Sequence, residues 1–89
     1  MTGAQLVLCG DLAATGLLDW ICHRARLLDL TGSVQRETAQ RIVINVSGPA
    51  DLIDAMEVAC LLGPVNVMVE RIERTRITPD ASANGFKQC

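Results

Sequence analysis

The chain has 89 residues, 49% of them hydrophobic and 20% charged, with a net charge of −2, which excludes disorder and fits a single core. Aromatic residues make up 2%, and the slight acidity attracts no polyanion, so nucleic acid is excluded as a partner. No apolar run reaches the ~18 residues of a membrane span. The start Met1-Thr2-Gly3-Ala4-Gln5 lacks the basic-then-apolar layout of a secretion signal, so one cytoplasmic domain over residues 1–89 with no membrane partner is expected.

Leu6-Val7-Leu8-Cys9 is a short apolar run that predicts a buried strand ended by Gly10. Residues 10–16, Gly10-Asp11-Leu12-Ala13-Ala14-Thr15-Gly16, read as a loop of mostly small residues. A helix follows, because Leu17, Ile21, Ala25 and Leu28 recur at helical spacing and form one stripe. Gly32 is expected to turn the chain back just past that helix. A short strand is expected over Gly32 to Arg36, then a turn at Glu37-Thr38-Ala39-Gln40.

Ile42, Ile44 and Val46 alternate with Val43, Asn45 and Ser47, the cleanest strand signal in the chain. Pro49 suits the first turn of a second helix, and Asp51 and Asp54 favour its positive end. Its expected buried stripe is Leu52, Met56 and Ala59, flanked by Ile53 and Cys60. Gly63-Pro64 stops it. Val65, Val67 and Val69 alternate with Asn66, Met68 and Glu70, so a further strand is expected to run to about Thr78. Its charged half, Glu70 to Arg76, reads as an exposed edge. Residues 79–84 read as a linker, and 85–89 as a short final strand or a loose tail. The order predicts an α+β fold, a ferredoxin-like βαββαβ sandwich whose antiparallel sheet carries both helices on one face.

No two of the four cysteines share the close spacing of a metal hook, so no metal site is expected. Cys9, Cys22 and Cys60 sit in apolar patterns and read as small buried hydrophobes, whereas Cys89 reads as an exposed thiol. Cys22 and His23 are helix neighbours that point apart, a poor nucleophile–base pair. His23 reads as a solvated helix histidine, Trp20 as partly buried packing, and Asp19 as a charge favourable to the helix dipole. Glu37, Glu70 and Glu73 have no evident carboxylate partner.

Taken together these residues resemble the acylphosphatase family over nearly the whole chain. The family's first strand leads into a phosphate cradle of the form G-R-V-Q-G-V-G-F-R, and Gly10 to Leu18 occupies that stretch. A later A-x-x-L-G-L-x-G-x-V-x-N run is matched by Ala25, Leu28, Leu30, Gly32 and Val34. Gly48-Pro49 and Gly63-Pro64 bracket the second helix as in the family, and Gly85-Phe86 resembles its final strand. The resemblance implies hydrolysis of acyl phosphates without a cofactor.

The departures fall on the chemistry that the resemblance implies. Leu18 stands where the family has its phosphate-gripping arginine, and Arg36 where it has the asparagine that positions water. Asp11 replaces the first cradle arginine and Ala14 the central glycine. Ala39-Gln40 stands where the family has a D-G turn. A unit charge about 7 Å from a phosphate is worth roughly 2 kcal/mol at a dielectric near 20, so reversing it at Asp11 swings the balance by roughly 4–5 kcal/mol. Ala14 adds roughly 1 kcal/mol of strain if that position needs positive φ.

The leading expectation is therefore a domain that has lost the catalytic groups and binds a small anion or a protein. Its candidate anion-binding loop is Gly10, Asp11, Leu12, Ala13, Ala14, Thr15, Gly16, Leu17 and Leu18, with Arg36 beside it. The plainer reading of Arg36 is a solvated charge at a strand end. Two rivals stand: a weak acylphosphatase that uses the loop backbone and Arg36, and a dimeric small-molecule regulatory module. Either a monomer or an edge-paired homodimer is compatible. Another residue, such as Arg24 or Asn45, supplying the missing guanidinium or carboxamide would overturn catalytic silence.

Overall fold

The computed structural model describes residues 2–64, 67–79 and 85–88. The expectations for Val65, Asn66, residues 80–84 of the linker and Cys89 lie outside the described residues. The elements in chain order are β1 (Thr2–Asp11), α1 (Leu17–Leu27), β2 (Thr31–Thr38), β3 (Arg41–Gly48), α2 (Ala50–Leu62), β4 (Met68–Ile77) and β5 (Phe86–Gln88). One five-stranded sheet forms in the order β4-β1-β3-β2-β5. β1, β2, β3 and β4 pair antiparallel, as expected, but β5 runs parallel to β2, so the sheet is mixed and not wholly antiparallel. The fold is ferredoxin-like α+β.

Cross-strand register explains the core. Leu6 lies opposite Ile44 and Leu8 opposite Ile42, while Val34 lies on the far side of Ile44. Successive strand residues alternate faces, so these side chains all rise toward the helices. They are fully buried together with Ile21 and Ala25 of α1 and Ile53 and Met56 of α2. The intervening Gln5 and Asn45 lie on the opposite face, where the Gln5 amide donates to the Asn45 carboxamide oxygen at 3.2 Å.

Several local expectations shift. β1 is longer than its apolar run, because β3 pairs with it from Thr2 to Cys9 and β4 carries it on to Asp11. The stripe on α1 holds for Leu17, Ile21 and Ala25, whereas Leu28 is half-buried at the C-cap. The buried stripe of α2 is Ile53, Met56 and Cys60, with Leu52 and Ala59 at its margin. Pro49 caps α2 from outside and does not open its first turn.

Gly32 does not make the turn after α1. That turn falls at Asp29, whose φ of 56° is the one positive φ outside glycine among the described residues. Gly32 lies inside β2 at φ 136°, where a Cβ would stand 1.9 Å from the Asn45 carbonyl oxygen. Its bare backbone lets β2 close on β3. Cys22 and Cys60 are buried as expected, but Cys9 is only half-buried. No helix is long and apolar enough to cross a membrane among the described residues.

Candidate functional site

The register of β2 builds the site. Arg36 pairs with Ile42, so it belongs to the helix-facing row of the sheet. Gln88 of β5 pairs with Val34, in the same helix-facing set, two residues before Arg36. α1 begins above this border with Leu17, after a loop at residues 12–16. The result is an open cleft of about 370 Å³. It is lined by Arg36, Ala39 and Gln88 from the sheet side and by Ala13 to Asp19 from the loop and the start of α1.

The backbone of the loop is shaped by a few bonds. The N–H groups of Gly10 and Leu12 donate to the carbonyls of Gln40 and Ala39, at 3.1 and 3.0 Å, which ties the loop base to the β2–β3 turn. Gly16 caps α1 at φ 85°, a conformation that glycine adopts without strain. The Trp20 N–H reaches its carbonyl at 2.9 Å. Among the described residues the N–H groups of Ala13, Ala14, Thr15 and Gly16 donate to no backbone carbonyl. Together with the N–H groups of Leu18 and Asp19 they leave, among the described residues, a set of donors without a backbone acceptor where a helix dipole is positive.

Of the expected loop residues, the cleft brings together Ala13, Ala14, Thr15, Gly16, Leu17 and Leu18 with Arg36. Gly10 and Asp11 do not line it. They finish β1 and border a separate cleft with Cys9, Gln40, Arg41, Glu70 and Arg71. Leu12 is fully buried and contributes only its carbonyl. Asp11 therefore does not line the cleft. Ala14 is not in the left-handed region either, so no strain is stored there.

Arg36 is half-buried and is not a freely solvated strand end. Its Nη1 donates to the Leu12 carbonyl oxygen at 2.5 Å, and a guanidinium has four further N–H groups to offer. The Gln88 side-chain amide donates to the Asp19 carboxylate across the cleft mouth. Its carbonyl oxygen has no partner among the described residues.

Neither Arg24 nor Asn45 lines the cleft. Arg24 lies over the Trp20 ring at 5.4 Å, and Asn45 is bonded to Gln5 on the other face of the sheet. Arg26 and Arg41 are also engaged elsewhere, with the Phe86 carbonyl and with Glu37. Asp19, Ala39 and Gln88 were not among the expected site residues. Only the likeness of Gly85-Phe86 to a final strand hinted that the chain returns here, and the parallel register that aims Gln88 has no local signal.

The sequence profile of the acylphosphatase family matches residues 4–88. An acylphosphatase of Azorhizobium caulinodans is 30% identical over 83 residues, which cover 93% of this chain and 89% of that protein. An acylphosphatase of Acidiphilium cryptum is 31% identical over 88 residues, 99% of this chain and 97% of that one. The crystal structure of an acylphosphatase from Bacillus subtilis superposes with a TM-score of 0.92 over 100% of this chain and 99% of that chain, at 19% identity. The fold, the loop before α1 and these likenesses lead to one assignment: the chain belongs to the acylphosphatase family.

Proposed function

We propose that the cleft hydrolyses acyl phosphates slowly, with its functional groups redistributed. The carrying observation is that the Arg36 guanidinium and the Gln88 carboxamide both line the cleft; the reading takes Leu18 and Arg36 to stand where the resemblance puts the family's two catalytic residues. Arg36 supplies the cation for the phosphoryl oxygens, helped by the unpaired N–H groups of Ala13 to Gly16. The Gln88 carbonyl oxygen accepts a hydrogen bond from the attacking water. Water adds to phosphorus, the bond from phosphorus to the acyl oxygen breaks, and the products are a carboxylate and inorganic phosphate. The water's protons pass to phosphate and solvent. A carboxylate leaves as the anion of an acid with pKa near 4, so the step needs no general acid. That suits a cleft without histidine or paired carboxylates, where positioning and charge carry catalysis.

A second reading, binding without turnover, draws on Leu18. Its loss of a second guanidinium weakens the grip where charge develops, and the Asp19 carboxylate opposes a dianion at the cleft mouth. Benzoyl phosphate hydrolysis by the purified chain tests the first reading, with calorimetry of inorganic phosphate beside it. Turnover above buffer that disappears in Arg36→Ala and falls about tenfold or more in Gln88→Ala supports hydrolysis. Phosphate binding without turnover leaves the second reading. Neither binding nor turnover removes both.

A further inference from the structure

The two edges of the sheet differ. β5 covers Gly32 to Val34 of β2, whereas β4 offers ten residues with β1 on one side and no strand beyond it among the described residues. An open edge is a template for another strand, and its charges decide which strand and which register fit. The centre of β4 reads Glu70-Arg71-Ile72-Glu73-Arg74. Reversed about Ile72, each charge meets its opposite.

We propose that β4 pairs antiparallel with β4 of a second copy of this chain, about a two-fold axis through Ile72. The axis stands perpendicular to the sheet, so the helices of both copies stay on one face. Residues directly opposite in an antiparallel ladder share a face, so the allowed registers differ by two residues. In the register centred on Ile72, Arg71 faces the partner's Glu73 and Glu73 faces the partner's Arg71. Glu70 and Arg74 flank them in the same complementary sense. The neighbouring registers fail: one sets Arg71 against the partner's Arg71, the other Glu73 against the partner's Glu73. The irregularity in the β1–β4 ladder falls at Glu70, so Arg71 and Glu73, on the regular part of β4, carry the selection.

The helix layer points the same way. Arg74 meets Asp54 and Glu57 of α2 at 2.6 and 2.9 Å, which fixes the side of α2 that overhangs this edge. Val58 and Leu61 fall on that same stripe, one helical turn beyond Asp54 and Glu57. They are 57% and 52% exposed, and Leu62 beyond them is 77% exposed. A copy paired at β4 brings its own α2 alongside and covers this apolar stripe. The pairing makes one sheet of two and does not depend on what the Arg36 cleft binds.

Sedimentation equilibrium of the full chain from micromolar to millimolar concentration tests the pairing. A monomer–dimer equilibrium is expected. Arg71→Glu alone and Glu73→Arg alone each set like charges opposite one another twice, and each raises the dimer dissociation constant about tenfold or more. The double variant, Arg71→Glu with Glu73→Arg, returns it to within about threefold of the parent. Both side chains are more than half exposed, at 66% and 54%, so the fold is retained, and circular dichroism checks it. A chain that stays monomeric throughout overturns the proposal. So does a dimer that the single variants leave unchanged or that the double variant fails to restore.

Discussion

The Arg36 guanidinium donates to the Leu12 carbonyl oxygen at 2.5 Å, so the far end of β2 grips the backbone just before α1. A charged hydrogen bond in a half-buried place is worth about 1.5–3 kcal/mol. Arg36→Ala is expected to lower unfolding free energy by about 2 kcal/mol in urea titration. Amide exchange at residues 12–17 should quicken in the same variant, while β3 keeps its protection. Arg36→Lys keeps a charge but not the planar fork and should fall between.

Replacing Leu18 and Arg36 by the residues that the family resemblance implies gives a sharper functional check. Leu18→Arg with Arg36→Asn should raise benzoyl phosphate turnover about tenfold or more over the parent chain. Leu18 is only half-buried against the core, so the exchange costs about 1 kcal/mol of packing. A rate no higher than the parent's in a folded double variant contradicts the expectation.

At Gly32 the chain has no room for a side chain. Gly32→Ala would set a Cβ against the Asn45 carbonyl at φ 136°, and the obstacle is backbone that cannot swing away. The expected loss is about 3 kcal/mol or more, read from the urea midpoint. Ala39→Gly, in the exposed β2–β3 turn, serves as a control near zero.

Burial pushes the Cys60 thiol from 9.0 up to about 12, against a smaller opposing pull from Arg24. The folded state therefore holds this proton more tightly than the unfolded chain. The resulting stability is complete below pH 9 and is lost as pH rises toward 12, by up to about 4 kcal/mol over that window. Unfolding titrations at pH 8, 9 and 10 should show stability falling above pH 9. Cys60→Ala should flatten that decline. In the native protein at neutral pH, the thiol should react with a maleimide far more slowly than Cys9.

Much of the fold is written locally. The alternation of Ile42, Ile44 and Val46 marks β3, since one face of that strand must be dry. Gly48-Pro49 and Gly63-Pro64 mark the ends of α2 by backbone restriction alone. The charged half of β4 marks an edge of this chain's sheet because Arg71, Glu73 and Arg74 need water or an opposite charge beside them. What escapes is set by long-range packing. α2 is apolar on several sides, so its own pattern did not choose Ile53 and Cys60 over Leu52 and Ala59; the sheet beneath it did. Glycine is the usual turn residue, which makes Gly32 the expected turn, yet Gly32 is needed inside β2 and the turn falls at Asp29. Gln88 reaches the cleft only through a parallel pairing between distant segments, which no local spacing announces.

The strand order β4-β1-β3-β2-β5 puts the earliest strand in the interior of the sheet. Gly3 must find Ser47 on one side and Ile77 on the other before β1 is held. Such remote closures slow folding, and refolding in milliseconds to seconds is the scale for this kind of topology. Stopped-flow refolding faster than about a millisecond would contradict it. Until β4 arrives, β1 leaves one flank open, so a nascent or partly unfolded chain passes through a sticky stage that the finished molecule conceals.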